Sequence, residues 1–382
     1  MGDLHRPKFG KLFGKKVAII GTRGIPNQYG GFEQFAEYLA PALVKEGLEI
    51  SVYCSHDHPF TQTTYEGVHL IRCKNPEKSL GSLGHLLYDF FCIWDARKRG
   101  FDIILQMGYT TNGIWQFLLP TEPIIVSNMD GMEWKRSKYK GILKTFLRYS
   151  EKKVAKRSHH LIGDAVPICT YLESEYSTPV SFIAYCTDEF IDPDPEVLKE
   201  YGLVENSYYL IIARMQPDNH IEMIIEGFIQ SRSKKLLFIV GNTQNAYGKY
   251  VRKKFEHFNN IRFAGSIFDQ KILNHLRYYS DLYFHGHSAG GTNPSLLEAM
   301  ACRCQILAHD NIFNRSVAQE GALYFQSSTD LGSLIAGQSG SPDWKDRVEM
   351  NVNRTKEQYN QQVILEKYLY LFALLCNKKK YL

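Results

Sequence analysis

Although the 382-residue chain holds eight cysteines, no two are spaced as CxxC. Cys302 and Cys304 are the only close pair, and no second pair of ligands elsewhere matches them. Metal is therefore not expected, and the thiols read as buried and reduced. No apolar run reaches the ~18–20 residues of a membrane span. The opening MGDLHRPKFGKLFGKK lacks the apolar core of a secretory leader, and Arg6 stands where N-myristoylation requires Ser or Thr. A cytoplasmic protein is expected. Internal repeats and low-complexity tracts are also missing. Excess charge is scarce, with 45 Lys and Arg against 40 Asp and Glu. The excess is local, because Lys135–Arg157 contributes ten basic residues and a single acid, Glu151.

What is present is a long alternation of short apolar runs with helical patterns. Candidate strands are VAIIG, EISVYC, VHLIRC, DIILQM, PIIVSN, HLIGD and VSFIAY in the first half. YYLIIAR, KLLFIVG, IRFAG, DLYFHG, QILAHD and ALYF follow in the second. Continuously apolar strands separated by helices predict parallel sheets covered on both faces. The chain is too long for one core, and CTDEFIDPDPEVLKEYG, with Pro193 and Pro195, divides the two series. The expected division is 1–188, 189–355 and a terminal helix over 356–382 that packs back on the first domain. In such folds ligands sit beyond the carboxyl ends of the strands.

The first such loop reads AIIGTRGIPNQYGGFEQFAEYLA. Gly21 and Gly24 give GxxG rather than the G-x-G-x-x-G of dinucleotide binders, and the second strand does not end in an acid. A dehydrogenase is not expected. Tyr29, Gly30 and Gly31 stand at a helix start, where backbone N–H groups favour an anion or a sugar hydroxyl.

The corresponding loop of the second half is HGHSAGGTNPSLLEAMAC, residues 285–302. Asn293 is a good N-cap and Pro294 suits the first helical position. Free amides are expected at Ser295, Leu296 and Leu297, Gly290 and Gly291 let a ligand approach the backbone, and Thr292 and Asn293 are expected to contact that ligand too. Glu298, one turn in, leans back toward the helix start and can accept from ligand hydroxyls. His285 and His287 are expected to point one inward and one outward, with His287 facing the ligand. The pattern suits a nucleotide ribose or a hexose beside phosphates.

These residues, LYFHGHSAGGTNPSLLEAMA, resemble the donor-site motif of retaining family-4 glycosyltransferases of the GT-B fold. GTRGIPNQYGGFE and SNMDGMEWKRSKY resemble a bacterial subgroup containing rhamnosyltransferases of surface-polysaccharide assembly, and IIARMQPDNHIEMIIEGF resembles the opening of the family's donor domain. The resemblance spans about residues 17–325. It implies two Rossmann-like domains facing each other across a cleft, acceptor-binding first and donor-binding second. Arg214 then contacts the donor diphosphate, and Glu298 holds the ribose. Where the family has a lysine five residues after that arginine, this chain has Asn219. Where the family has the first of two glutamates, it has Gly290. Asp130 matches a position facing the reaction centre, with Glu133 and Trp134 shaping the acceptor pocket.

The implied activity is metal-independent transfer from a nucleotide-diphospho-sugar, first choice L-rhamnose from dTDP-rhamnose, to a lipid-linked or oligosaccharide acceptor. No cofactor is implied beyond the donor. UDP-hexose or UDP-N-acetylhexosamine transfer and a non-catalytic nucleotide or glycan binder are the alternatives. The basic segment 135–157, with Lys140, Lys144, Arg148 and Lys152 spaced i,i+4 and Leu143, Phe146, Leu147 and Val154 on an apolar side, is expected to lie on anionic membrane. Nucleic-acid binding is not expected, because stacking aromatics on a sheet are missing.

Overall fold

A computed structural model describes residues 9–28, 30–136, 139–337 and 343–378. The chain forms two compact units, Met1–Ala184 with Gln362–Leu382, and Tyr185–Gln361.

The first unit is built on strands β1 (Lys16–Ile20), β2 (Glu49–Ser55), β3 (Thr64–Tyr65), β4 (Val68–Cys73), β5 (Ile103–Met107), β6 (Ile124–Asn128), β7 (His160–Gly163) and β8 (Val180–Phe182). They form one sheet in the order β3-β4-β2-β1-β5-β6-β7-β8. All pairings are parallel except β3 with β4. The two-residue β3 has too little apolar character to be read from sequence. Central strands β5 and β6 are buried along their whole length, as a sheet covered on both faces requires.

The second unit carries β9 (Tyr208–Ile212), β10 (Leu236–Val240), β11 (Ile261–Gly265), β12 (Leu282–His285), β13 (Ile306–His309) and β14 (Ala322–Phe325). Their order is β11-β10-β9-β12-β13-β14, all parallel. Ile211, Ile224, Phe228, Ile239, Phe284 and Leu307 belong to one core between this sheet and the helices on one of its faces. Each of the thirteen apolar runs in the sequence became a strand of one of the two parallel sheets.

Strand order places the functional ends. In the first sheet the chain reverses direction of growth between β1 and β5, in the second between β9 and β12. The loops leaving adjacent strands diverge there and leave a crevice beyond the carboxyl ends.

The helix Gln361–Lys378 belongs mostly to the first unit, although the second lies before it in sequence. Its Tyr368 ring sits 5.8 Å from Phe35 of helix Gly31–Lys45, and Lys367 lies over Phe182. Among the described residues no helix is long and apolar enough to cross a membrane. Phe372 is wholly buried. Phe372→Ala should cost about 3–5 kcal/mol of first-unit stability, read as a lower urea midpoint.

Candidate functional site

At the second unit's crevice, β9 runs into Arg214 and the turn Pro217–Asn219, and β12 runs into residues 286–293. Register sets these loops side by side, since Tyr283 on β12 pairs with Leu210 on β9. Gly286 permits the contact, because a Cβ there would meet the Asn219 carbonyl oxygen at 2.1 Å. Ser288 donates to the Asp218 carbonyl through both its amide and its hydroxyl, each at 3.0 Å. The two loops therefore form one surface.

Helix Pro294–Ala301 starts as expected, with the Asn293 side chain accepting from the Ser295 amide at 3.0 Å. That cap overturns a second expectation. The Ser295 amide is taken by the cap, and the amides of Leu296 and Leu297 donate to the Asn293 carbonyl at 3.0 and 3.3 Å. None of the three is aimed at a ligand, and the Leu296 side chain is buried. The open donors lie one step earlier, where the amides of Ala289, Gly290 and Gly291 have no partner among the described residues. Gly290 holds this loop with φ of +107°, a conformation that favours glycine. Thr292 is buried at the foot of the loop.

Arg214 is exposed and has no ion pair among the described residues. Asn219, expected at the donor, instead uses its side-chain amide to hold the Arg214 carbonyl at 2.7 Å. It shapes the loop that carries the arginine.

Glu298 is the largest revision. Its carboxylate pairs at 2.5 Å with Arg277, whose side chain is only 1% exposed. Arg277, in helix Gln270–Tyr278, also donates to Asn274 at 3.0 Å and to the Ser295 hydroxyl at 3.1 Å, and Tyr283 shares that hydroxyl at 2.7 Å. Ser295 is thus a member of a buried network. Arg277 neutralises a carboxylate that would otherwise repel a diphosphate. Nothing in the sequence analysis singled it out. The available signal is an arginine in register with Leu273 on the apolar side of a strongly amphipathic helix.

His285 and His287 do not point in opposite directions. Residues two apart on extended backbone project to the same side, and their rings stack 4.5 Å apart. His285 is buried and neither ring nitrogen has a partner. A second pair, His220 and His309, stacks at 4.0 Å with rings 2° from parallel. Burial pushes the His285 imidazole well below its ordinary range, with His287, Arg277 and His309 adding to the effect. Burial, then the neighbouring His220, push His309 down to about 4. Among the described residues no group of three His, Cys, Asp or Glu is arranged to hold a metal ion.

The first unit's crevice is chemically different. In the helix that starts at Gly31, buried Glu33 accepts from the Arg23 amide at 2.9 Å and Glu37 accepts from the Asn27 amide at 2.9 Å, so both carboxylates tie the helix to the loop before it. Tyr29 lies outside the described residues. Arg23 forks onto Glu77 at 2.6 and 2.9 Å, and His85 approaches the same carboxylate at 3.5 Å. Buried Asp89, accepting from Thr111 at 2.5 Å, has its carboxyl pushed up by burial.

Asp130, half-buried with φ of +52°, is held by its amide's bond to Asn128 at 3.0 Å. Such a strained non-glycine residue at a strand end marks a candidate functional position. Glu133 is buried and paired with Arg136 at 2.6 Å.

The basic segment is not one helix over 135–157, since a short turn Glu133–Lys135 precedes helix Gly141–Arg157. Its apolar side is divided. Leu147 and Val154 enter the core, while Ile142, Leu143 and Tyr149 are exposed. Glu151, the segment's only acid, is buried and accepts from Trp134, Tyr171 and Tyr176 at 3.0, 2.6 and 2.8 Å. Every exposed charge on this helix is consequently positive.

Comparison with known proteins gives these features a context. Residues 195–335 match the family model described as glycosyl transferases group 1. Most of the second unit is therefore similar to group 1 glycosyl transferases. Residues 14–188 match a domain of unknown function, DUF1972. Among curated proteins no sequence match is found. The chain resembles a solved sucrose-phosphate synthase from Thermosynechococcus elongatus, with a TM-score of 0.78 and 16% identity over 95% of this chain and 100% of that one. It also resembles Anabaena HepE, solved with UDP and glucose, with a TM-score of 0.74 and 16% identity over 94% and 99% of the two chains. A glycosyltransferase from Rickettsia africae gives 0.69 and 13% over 94% and 98%. At these identities the likeness establishes the GT-B fold.

The buried pair makes a direct test. Arg277→Ala or Glu298→Ala should each destabilise the second unit by about 3–5 kcal/mol, because each leaves an unpaired buried group. Arg277→Met with Glu298→Leu should cost less than either single change, measured by urea denaturation.

Proposed function

We propose that this glycosyltransferase binds a nucleotide-diphospho-sugar at the second unit's crevice and transfers the sugar, with anomeric configuration retained, to an acceptor hydroxyl. The observation that carries the reading is the conjunction at one strand-end surface of an unpaired Arg214, three open loop amides and the neutralised Glu298. Arg214 and the amides of Ala289, Gly290 and Gly291 receive the diphosphate, as preorganised donors that stabilise the leaving group. Glu298, with its charge balanced by Arg277, receives the ribose hydroxyls, and His287 faces the sugar. The bond from the anomeric carbon to the phosphate oxygen breaks as the bond to the acceptor oxygen forms. The acceptor proton passes to the departing phosphate on the same face.

The first unit is the acceptor-binding one, where the half-buried Asp130 carboxylate beyond β6 accepts from a sugar hydroxyl. Asp130 stands at its mouth. L-rhamnose from dTDP-rhamnose is the first choice of donor, with a lipid-linked saccharide of bacterial surface polysaccharide as acceptor. The loss of a side-chain acceptor at Gly290 supports a deoxysugar. A UDP-hexose is the second reading, favoured by the structural likeness to HepE, which was solved with UDP-glucose.

The diphosphate's charge is met by protein cations and amides, so turnover is expected to persist in excess EDTA. A strict requirement for added Mg²⁺ or Mn²⁺ would refute that part. In a thermal-shift panel of dTDP, UDP, GDP and ADP, one nucleotide at ~100 times its dissociation constant should stabilise the fold by about 2.7 kcal/mol. Arg214→Ala should abolish the shift, and no shift with any nucleotide overturns the donor assignment.

Helix Gly141–Arg157 supports docking on anionic membrane, with Ile142 and Tyr149 exposed among Lys152, Lys153 and Lys156. The protein should sediment with vesicles rich in anionic lipid at low salt and be released at high salt. Failure to sediment at low salt removes membrane docking from the reading.

A further inference from the structure

Four histidines meet at the ends of three adjacent strands beneath the open loop, and the donor chemistry described above uses only His287. His220 lies after β9 at the start of helix Ile221–Gln230, His285 ends β12 with His287 two residues beyond it, and His309 ends β13. They make two stacked pairs, 4.0 and 4.5 Å between ring centroids. The Tyr283 ring stacks on the far side of His285 at 6.3 Å.

Hydrogen bonds fix which nitrogens carry protons. The Ser288 hydroxyl donates to the Asp218 carbonyl, so at 3.0 Å it accepts from His220 Nε2. Asn311 Oδ1 caps helix Ile312–Ala318 by accepting from the amides of Phe313 and Asn314, which turns its amino group toward His309. That amino group also stands 3.3 Å from His309 Nδ1, a contact that suits an unprotonated nitrogen there. The same amino group and that of Asn314 both donate to the His287 carbonyl, at 3.0 and 2.9 Å, and to the His309 carbonyl, at 3.1 and 2.8 Å. The root of the 286–293 loop thus hangs on contacts that tolerate a neutral His309. A protonated one would set an N–H against an amino group and a cation against the stacked His220.

We propose that His220, His285 and His309 are positioning residues that hold the donor loop in its binding geometry only while their imidazoles are neutral. This rests on the donor-site reading above. The charged and titratable groups around the cluster are Arg277 with its partner Glu298 beside His285, Asp218 beside His220, and Asp310, paired with Arg315, beside His309. Arg277 opposes a second positive charge at His285. The two aspartates favour one at His220 and His309, but burial outweighs them. The sign follows. A histidine whose folded pKa lies below its unfolded value of about 6.5 supports the folded arrangement fully above that pH. The support is lost as pH falls toward 4, the region of His309.

The test is NMR-detected hydrogen–deuterium exchange of the Ser288 amide, which donates to the Asp218 carbonyl, in the full chain at about pH 7.5 and about pH 5.0, corrected for intrinsic rates. The wild type should lose about tenfold or more of its protection at the lower pH. His220→Gln with His309→Gln should show no such pH response. Unchanged wild-type protection, or an equal response in the double variant, overturns the proposal. Should that variant not fold, NMR titration of the wild-type imidazoles decides, because His309 protonation must coincide with loss of protection. UDP-glucose, whose diphosphate keeps its charge over this range, provides a separate arm. Its affinity should fall about twofold or more as the pH drops further, to about 4, where about half of His309 is protonated. Absence of UDP-glucose binding at both pH values, with exchange responding to pH, counts against a UDP-sugar donor and leaves the histidine proposal supported. Flat exchange with intact binding does the reverse.

Discussion

A guanidinium sealed from water between two helices is the constraint on which the second unit's crevice depends. Burying Arg277 carries a desolvation cost of several kcal/mol unless every nearby acceptor is well placed. Glu298, Ser295 and Asn274 supply those acceptors. Two of the three belong to helix Pro294–Ala301, so the start of that helix is fixed relative to helix Gln270–Tyr278. Tyr283 ties the same hydroxyl to strand β12. A loop whose amides remain open must hang from a rigid root, and this network provides it.

The two crevices have opposite chemistry on the same architecture. Both lie where strand order reverses, a position set by topology rather than by particular residues. In the second unit the strand ends present an unpaired arginine and unpaired amides. In the first, Glu33, Glu37 and Asp89 take up the local donors, and Asp130 is held in a left-handed conformation. One surface suits an anion and the other suits hydroxyl groups.

Much of this was legible in the sequence, for identifiable reasons. Thirteen apolar runs announced thirteen strands because a doubly covered parallel strand is apolar along its length. Asn293 and Pro294 announced a helix start because capping is a local interaction. Features set by distant partners were not legible. That Arg277 meets Glu298, that Glu33 turns back onto Arg23, and that Glu151 faces three donors in the interior all depend on tertiary packing. The helix amides at Ser295 and Leu296 were misassigned because a good cap, correctly identified, takes the donors it was expected to aim outward. The pairing of His285 with His287 was within reach, since strand periodicity alone puts them on one side.

The first unit is discontinuous in sequence, and this has a consequence for biosynthesis. Its sheet is complete by Phe182, yet the aromatic surface around Phe35 lacks Tyr368 and Phe372 until the whole second unit has been made. On the ribosome the later-encoded unit is therefore the first to hold all of its own chain. The earlier one waits with an apolar face uncovered, a period in which chaperone capture or aggregation competes with completion.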